Sequence, residues 1–537
     1  MTDSGCSQSA SPVCDANAII NVESIHPTVS LLKALPECNL VIKEKEIENT
    51  KKKPAKSSFP LKNLKDLLLS GRVYHDYQFR PRKSIFDRVT TPQTFLKNEF
   101  RGFYVLFWLS MFVWIVQLYA KSYWLRNTIL GLPLARIVFR QFFVLFGSDF
   151  IMVFLTLFSF VLQWCIAKRY IAWSNTGYII QLVWQGCFTS LAAYWVVHRK
   201  FPVIQSLFFT LHCAVLVMKQ HSYAHHLGYL STVSALHEAY GDVLKVVRSS
   251  LKDDSNEAES ISFELEYPDR TEQIDAIKAD EVVALTMKYL DHSLWSEIGN
   301  VVYPTNVTLL NYIDYLLIPS LVYSLEFPRV SKINLKYLTV KIISTFSVLF
   351  TCLALVDWYF LPAAESVQGL DFVTKLHHAP FLMSRLLFPA VILYLLLFYL
   401  TFDVILNAFA EITKFADRDF YGPWWNTVTW DEFARQWNKP VHVFLMRHVY
   451  HSSRQILNKS MAVVFTFLLS ALVHEFVMLL VTKKLRCYIL FFQLLQLPLY
   501  DLSQMSAFKN NELLGNLFFW IGIFTGPSFI CILYIVF

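Results

Sequence analysis

Apolar runs of membrane-spanning length recur along this chain, separated by short polar breaks in some places and by long charged stretches in others. A hydrocarbon core about 30 Å thick needs about 20 apolar helical residues. Judged by length and low charge, candidate runs fall at residues 103–119, 150–167, 178–197, 203–218, 337–360, 381–409, 461–482, 489–503 and 513–537. Backbone polar groups cannot be left unpaired in lipid, so each run has to be helical. The pattern therefore predicts an all-α polytopic membrane protein with about nine transmembrane helices. Residues 127–146 (NTILGLPLARIVFRQFFVLF) form a further apolar run, but Arg136 and Arg140 interrupt it and suggest an interfacial or re-entrant helix.

The polar stretches complete the layout. Residues 1–60 are rich in Ser, Asn, Lys and Glu and poor in aromatics, so they bury too little surface to fold and are expected to be a disordered cytosolic tail. Residues 61–100 interleave aromatic and basic positions and fit a cytosolic or interfacial lead-in, followed by the membrane-embedded domain at 101–537. The acidic stretch within residues 219–304 is expected to be a solvated loop. LLNYIDYLLIPSLVYSLEFP, ending at Pro328, is broken by Pro319 and fits an interfacial helix.

Composition agrees with this layout. Of 537 residues, 55% are hydrophobic and 16% aromatic, and the mean hydropathy is +0.39, which excludes an ordinary string of soluble domains. The net charge of +7, with much of the Lys and Arg in the first hundred residues, suits an anionic cytoplasmic membrane face. No nucleic-acid motif is found, so no nucleic-acid partner is expected. The N-terminus lacks an apolar h-region, so the first spanning helix is expected to act as the targeting signal, leaving the tail in the cytosol. The nine cysteines are scattered without a CxxC pair, giving neither a disulfide framework nor a metal site.

One run stands apart chemically. Met461–Thr482, MAVVFTFLLSALVHEFVMLLVT, carries His474 and Glu475 about fourteen residues in, roughly 20 Å along the helix. Ionisable groups at membrane depth are costly and mark either a functional site or a paired structural one. Asp403, Asn407 and Glu411 end the sixth run at i, i+4, i+8, on one helix face, where polar glue between helices is the plainer alternative. FYGPWWN follows at 420–426, placing Phe420, Tyr421, Trp424 and Trp425 beside the amide of Asn426. An amide and a base from neighbouring elements are the minimum for transferring an acyl group to a hydroxyl. His442, His448 and His451 read as surface or interfacial residues. GxSxG, P-loop and HExxH motifs are absent, so an acyl-enzyme, a nucleotide hydrolase and a zinc protease have no support. A transporter would also place polar groups at depth, but no repeated halves are visible.

At these residues the chain resembles the membrane-bound O-acyltransferase family, and within it the sterol O-acyltransferases, particularly the fungal ones. The resemblance covers most of the chain from about residue 100. It rests on FYGPWWN, similar to the family's FYxDWWN, on LNAFAEITKFADRDF before it and WNKPVHVFLMRHVYHSS after it, on SALVHEF, and on LQLPLYDLSQ and LGNLFFWIGIFTGPS near the C-terminus. KQHSYAHHLGYL and YLLIPSLVYSLEFPR tilt it toward the sterol branch over diacylglycerol acyltransferases. The resemblance implies His474 as catalytic base, Asn426 as its polar partner, and Trp425, Asn407 and Glu475 as chamber lining, with Phe420, Tyr421 and Trp424 as further substrate-binding residues. It implies acyl-CoA as co-substrate with no cofactor, a sterol acceptor from the bilayer, a homodimer or homotetramer, and the endoplasmic reticulum membrane. The chain departs from FYxDWWN at one position, where Pro423 stands in place of Asp.

Overall fold

The computed structural model describes residues 39–44, 77–89, 101–128, 139–252, 261–266, 271–274, 276–505, 508 and 511–536. The chain divides into two compact units, Met1–Gly71 with Val233–Ser293 and Arg72–Thr232 with Leu294–Phe537.

The smaller unit adds strands to an otherwise helical molecule. Asn39–Glu44, Ile261–Glu266 and Thr271–Ile274 form an antiparallel sheet in that order, with Leu40 opposite Leu265 and Ile42 opposite Phe263. The pattern ISFELE explains the second strand, because Ile261, Phe263 and Leu265 alternate with Ser262, Glu264 and Glu266. Asn39–Glu44 belongs to the tail expected to be disordered; the remainder of residues 1–60 lies outside the described residues. The helix Ala276–Leu294 follows, with Asp280 paired to Arg248 at 2.8 Å.

In the larger unit all nine expected runs are helical. Among the described residues seven helices are long and apolar enough to cross a membrane: Phe142–Ala167, Tyr178–Arg199, Val203–Lys245, Leu335–Val367, Phe372–Ile412, Lys459–Thr482 and Glu512–Ile535. The first run forms the helix Arg101–Arg126, also of spanning length. The eighth is split into the short helices Tyr488–Leu494 and Gln496–Ser503. Part of the run demoted to an interfacial helix, from Phe142 onward, instead begins the span Phe142–Ala167. Boundaries follow local chemistry: Asn334, Asp371 and Asn458 each accept a hydrogen bond from a first-turn amide of the helix they precede.

The span Phe372–Ile412 is not a regular helix throughout. Pro380 and Pro389 lie within its first part, and Tyr399–Ile405 forms a π-helical turn before the chain returns to α-helix at Leu406–Ile412. Such turns insert one extra residue and re-aim the side chains that follow. Here Asp403, Asn407 and Glu411 all point inward and are 1%, 0% and 3% exposed. Leu335–Leu355 packs along this turn. Residues 77–89, from the expected lead-in, are threaded into the same unit, with Arg82 and Asp417 bridged through their backbones.

Candidate active site

A buried carboxylate organises the polar side of the site. Asp403 accepts at Oδ1 from Ser84 Oγ and the Tyr421 hydroxyl, each at 2.9 Å, and at Oδ2 from Lys341 Nζ at 2.7 Å. A charge inside a membrane unit survives only with this degree of pairing. Burial, and next the Asp403 charge, push the Tyr421 phenol far above its ordinary value, so it remains a donor. Asn407 donates Nδ2 to the Asp403 carbonyl at 2.8 Å, and its buried Oδ1 has no protein partner among the described residues. Glu411 is taken up by Arg418 and by the amide of Asn334. For Asp403 and Glu411, the plainer reading of polar contacts between elements is the one the geometry supports.

The segment after Glu411 is pinned by charge. Arg82 forks onto Asp417 at 2.9 and 2.7 Å and reaches Asp419 at 2.9 Å, where Lys439 also binds at 2.8 Å. That pairing holds the Arg82 guanidinium above its ordinary pKa. The chain then turns at Gly422, where an added Cβ would lie 2.9 Å from Gln436 Oε1 and 3.0 Å from its Cβ. Only glycine lets helix Trp430–Trp437 approach this closely.

Trp424 and Trp425 divide their work. Trp424 is buried among Phe398, Phe433, Trp437 and Trp520, with ring centroids 4.9–6.0 Å apart. Phe420 and Tyr421 are buried as well. Trp425 is half-buried, its carbonyl accepting from Asn516 Nδ2 at 3.0 Å and Trp520 Nε1 at 3.1 Å, and its ring stacked on Phe86 at 5.8 Å. Asn426 is exposed, so the WWN turn buries one aromatic and presents the other with an amide.

His474 lies on the exposed face of Lys459–Thr482, and its Nδ1 is 2.8 Å from the Ser470 carbonyl. A carbonyl only accepts, so the bond assigns a hydrogen to Nδ1, and in the neutral tautomer this leaves the lone pair on Nε2. Glu475 turns the other way: 4% exposed, its carboxylate accepts from the amides of Cys487 at 2.8 Å and Leu490 at 3.2 Å. It anchors the start of helix Tyr488–Leu494 through both carboxylate oxygens. Among the described residues no hydrogen bond or ring contact joins His474 to Trp425 or Asn426. His474 and Asn426 are thus exposed on one unit without a direct contact between them.

A second cluster was not legible in the sequence. His448 is buried and lies 2.8 Å from Ser222 Oγ, its ring 5.2 Å from that of His221, which stacks on His225 at 3.9 Å. This corrects the surface reading of His448; His442 and His451 are half-buried. Burial, then the nearby His221 and Arg447, hold His448 well below its ordinary pKa. Lys219 donates to the carbonyls of Tyr315, Ile318 and Ser320 at 2.7–2.9 Å, joining KQHSYAHHLGYL to the Pro319 bend. Among the described residues no group of three or more His, Cys, Asp or Glu is placed to hold a metal ion. Sequence reading missed Ser84, Phe86 and Lys341, whose partners lie more than sixty residues away, beyond any local pattern.

A helical membrane unit with a histidine exposed on a spanning helix and a WWN turn defines a class, and sequence comparison names it. The sequence profile of MBOAT, the membrane-bound O-acyltransferase family, matches residues 190–536, and the chain belongs to that family. The chain is 63% identical over 530 residues to the Schizosaccharomyces pombe protein described as "probable sterol O-acyltransferase 1", covering 98% of each. It is 36% identical over 495 residues to Candida albicans sterol O-acyltransferase 2, covering 86% of this chain and 79% of the relative. Against Saccharomyces cerevisiae sterol O-acyltransferase 2 it is 32% identical over 467 residues, covering 84% and 68%.

Proposed function

We propose that the chain transfers a long-chain acyl group from acyl-CoA to the 3-hydroxyl of a membrane sterol, ergosterol or a precursor, making steryl esters for storage. The observation that carries the mechanism is His474, whose Nδ1 is held by the Ser470 carbonyl and whose side chain is exposed on a spanning helix. Nε2 takes the hydroxyl proton as the sterol oxygen attacks the thioester carbonyl. The tetrahedral intermediate then expels the CoA thiolate, which takes that proton back as thiol. Asn426 stabilises the developing oxyanion, Trp425 orients the thioester, and Asn407 lines the chamber. Phe420, Tyr421 and Trp424 act as the buried support of the turn, and Glu475 positions the helix beyond His474. The reaction as written uses acyl-CoA as co-substrate and calls for no metal or cofactor. The same reading places the protein in the endoplasmic reticulum membrane with its N-terminus cytosolic, as a homodimer or homotetramer.

Expression in cells lacking neutral-lipid synthesis, with labelled fatty acid, tests the acceptor. Labelled steryl ester is expected, and none with His474→Ala. Labelled triacylglycerol in its place would move the acceptor to diacylglycerol.

A further inference from the structure

Residues 77–89 precede the region that the family profile matches, yet they deliver Phe86 onto the WWN turn and Ser84 onto Asp403 and Tyr421 beside it. Phe86 stacks on Trp425 with centroids 5.8 Å apart and planes inclined by 23°, and it meets Tyr399 edge-on at 5.7 Å. Two residues earlier, Ser84 is 1% exposed; its Oγ donates to Asp403 at 2.9 Å and lies 3.0 Å from the Tyr421 hydroxyl. Asp403 is the residue whose carbonyl receives the Asn407 amide. Arg82 fastens the segment to Asp417 and Asp419, so Ser84 and Phe86 are presented from a clamped backbone.

The backbone of Trp425 is fixed through its carbonyl by Asn516 and Trp520. Its half-buried ring also meets Trp424 edge-on at 5.8 Å and Tyr421 at 6.4 Å, and Phe86 is the neighbour stacked on its face, which favours one of the rotamers open to it. We infer that Phe86, supported by Ser84, is a positioning residue that sets the Trp425 ring where the acyl thioester binds. The inference rests on the reading of Trp425 and Asn426 as part of the acyl-transfer site. The reaction site then includes a segment distant in sequence from every motif that marks it, and its fit to the acyl chain depends on that segment.

The test is steryl ester formation by membranes from cells expressing equal amounts of parent, Phe86→Leu, Phe86→Tyr, Ser84→Ala and His474→Ala protein. Rates are taken over a range of palmitoyl-CoA, of oleoyl-CoA and of sterol. Phe86→Leu keeps apolar bulk and removes the stack. It is expected to raise KM for acyl-CoA about five- to tenfold, to shift the preference between the two acyl-CoAs about threefold, and to leave the sterol KM unchanged. Phe86→Tyr is expected to restore parent values, and Ser84→Ala to shift KM in the same direction but less. A purely structural role would lower the amount of active enzyme with KM and acyl preference unchanged, and that result overturns the inference, as would parent kinetics for Phe86→Leu. Parent kinetics for an Asn426→Ala protein assayed beside these would instead overturn the underlying reading of the turn, and an active His474→Ala protein the reading of His474.

Discussion

At Pro423 the chain replaces a carboxylate of the family motif with a ring that fixes φ, and the observed φ of −76° lies within the range proline imposes. The residue is exposed, and its carbonyl still accepts from the Asn426 amide at 3.0 Å, so the turn forms without strain. Pro423→Asp is therefore expected to change steryl ester formation by less than about threefold, whereas an inactive parent rescued by this change would show that the carboxylate is needed. His448 gives a pH dependence of known sign. Its folded pKa is depressed below the ordinary 6.5, so below that pH the unfolded chain binds a proton that the folded protein refuses. Stability is then lost as pH falls from about 6.5, by up to roughly 1.4 kcal/mol per unit for this group. Thermal unfolding of the detergent-solubilised protein between pH 7 and pH 5 checks this, and His448→Gln is expected to flatten the decline. His474 was legible as an ionisable group out of place in an apolar run. The burial of His448 was not, since Ser222 and His221 reach it from a helix more than two hundred residues earlier.

Among elements, the spans were legible because apolar length alone reports them, and the Asp403–Asn407–Glu411 face followed from helical spacing. The π-helical turn at Tyr399–Ile405 was not legible, because it arises from tertiary packing and leaves no mark in periodicity. The strand Ile261–Glu266 does carry a period-2 signal in ISFELE, hidden within an acidic stretch. Two contacts between elements make firm predictions. Lys341→Met leaves Asp403 buried without its cation and is expected to destabilise the protein by about 3–5 kcal/mol. Adding Asp403→Asn should recover much of that loss, which denaturation of the single and double variants measures. Glu475→Ala removes two charge-assisted bonds at the start of Tyr488–Leu494 and is expected to cost about 1.5–3 kcal/mol, seen as a lower midpoint of thermal unfolding.

For the whole molecule, sequence indicated a helical membrane enzyme and the family it belongs to. It gave no sign that Arg82, Ser84 and Phe86 would join residues 403–425, because such contacts depend on how the chain returns through the unit. The structure leaves His474 and Asn426 exposed and without a direct contact, and the proposed reaction requires that sterol and thioester meet between them. The most direct measurement is labelled steryl ester formed from acyl-CoA and sterol by membranes holding equal amounts of parent or His474→Gln protein. Loss of the proton acceptor is expected to lower the rate by at least about a hundredfold while the protein remains folded. Steryl ester formed by His474→Gln at the parent rate would contradict the account.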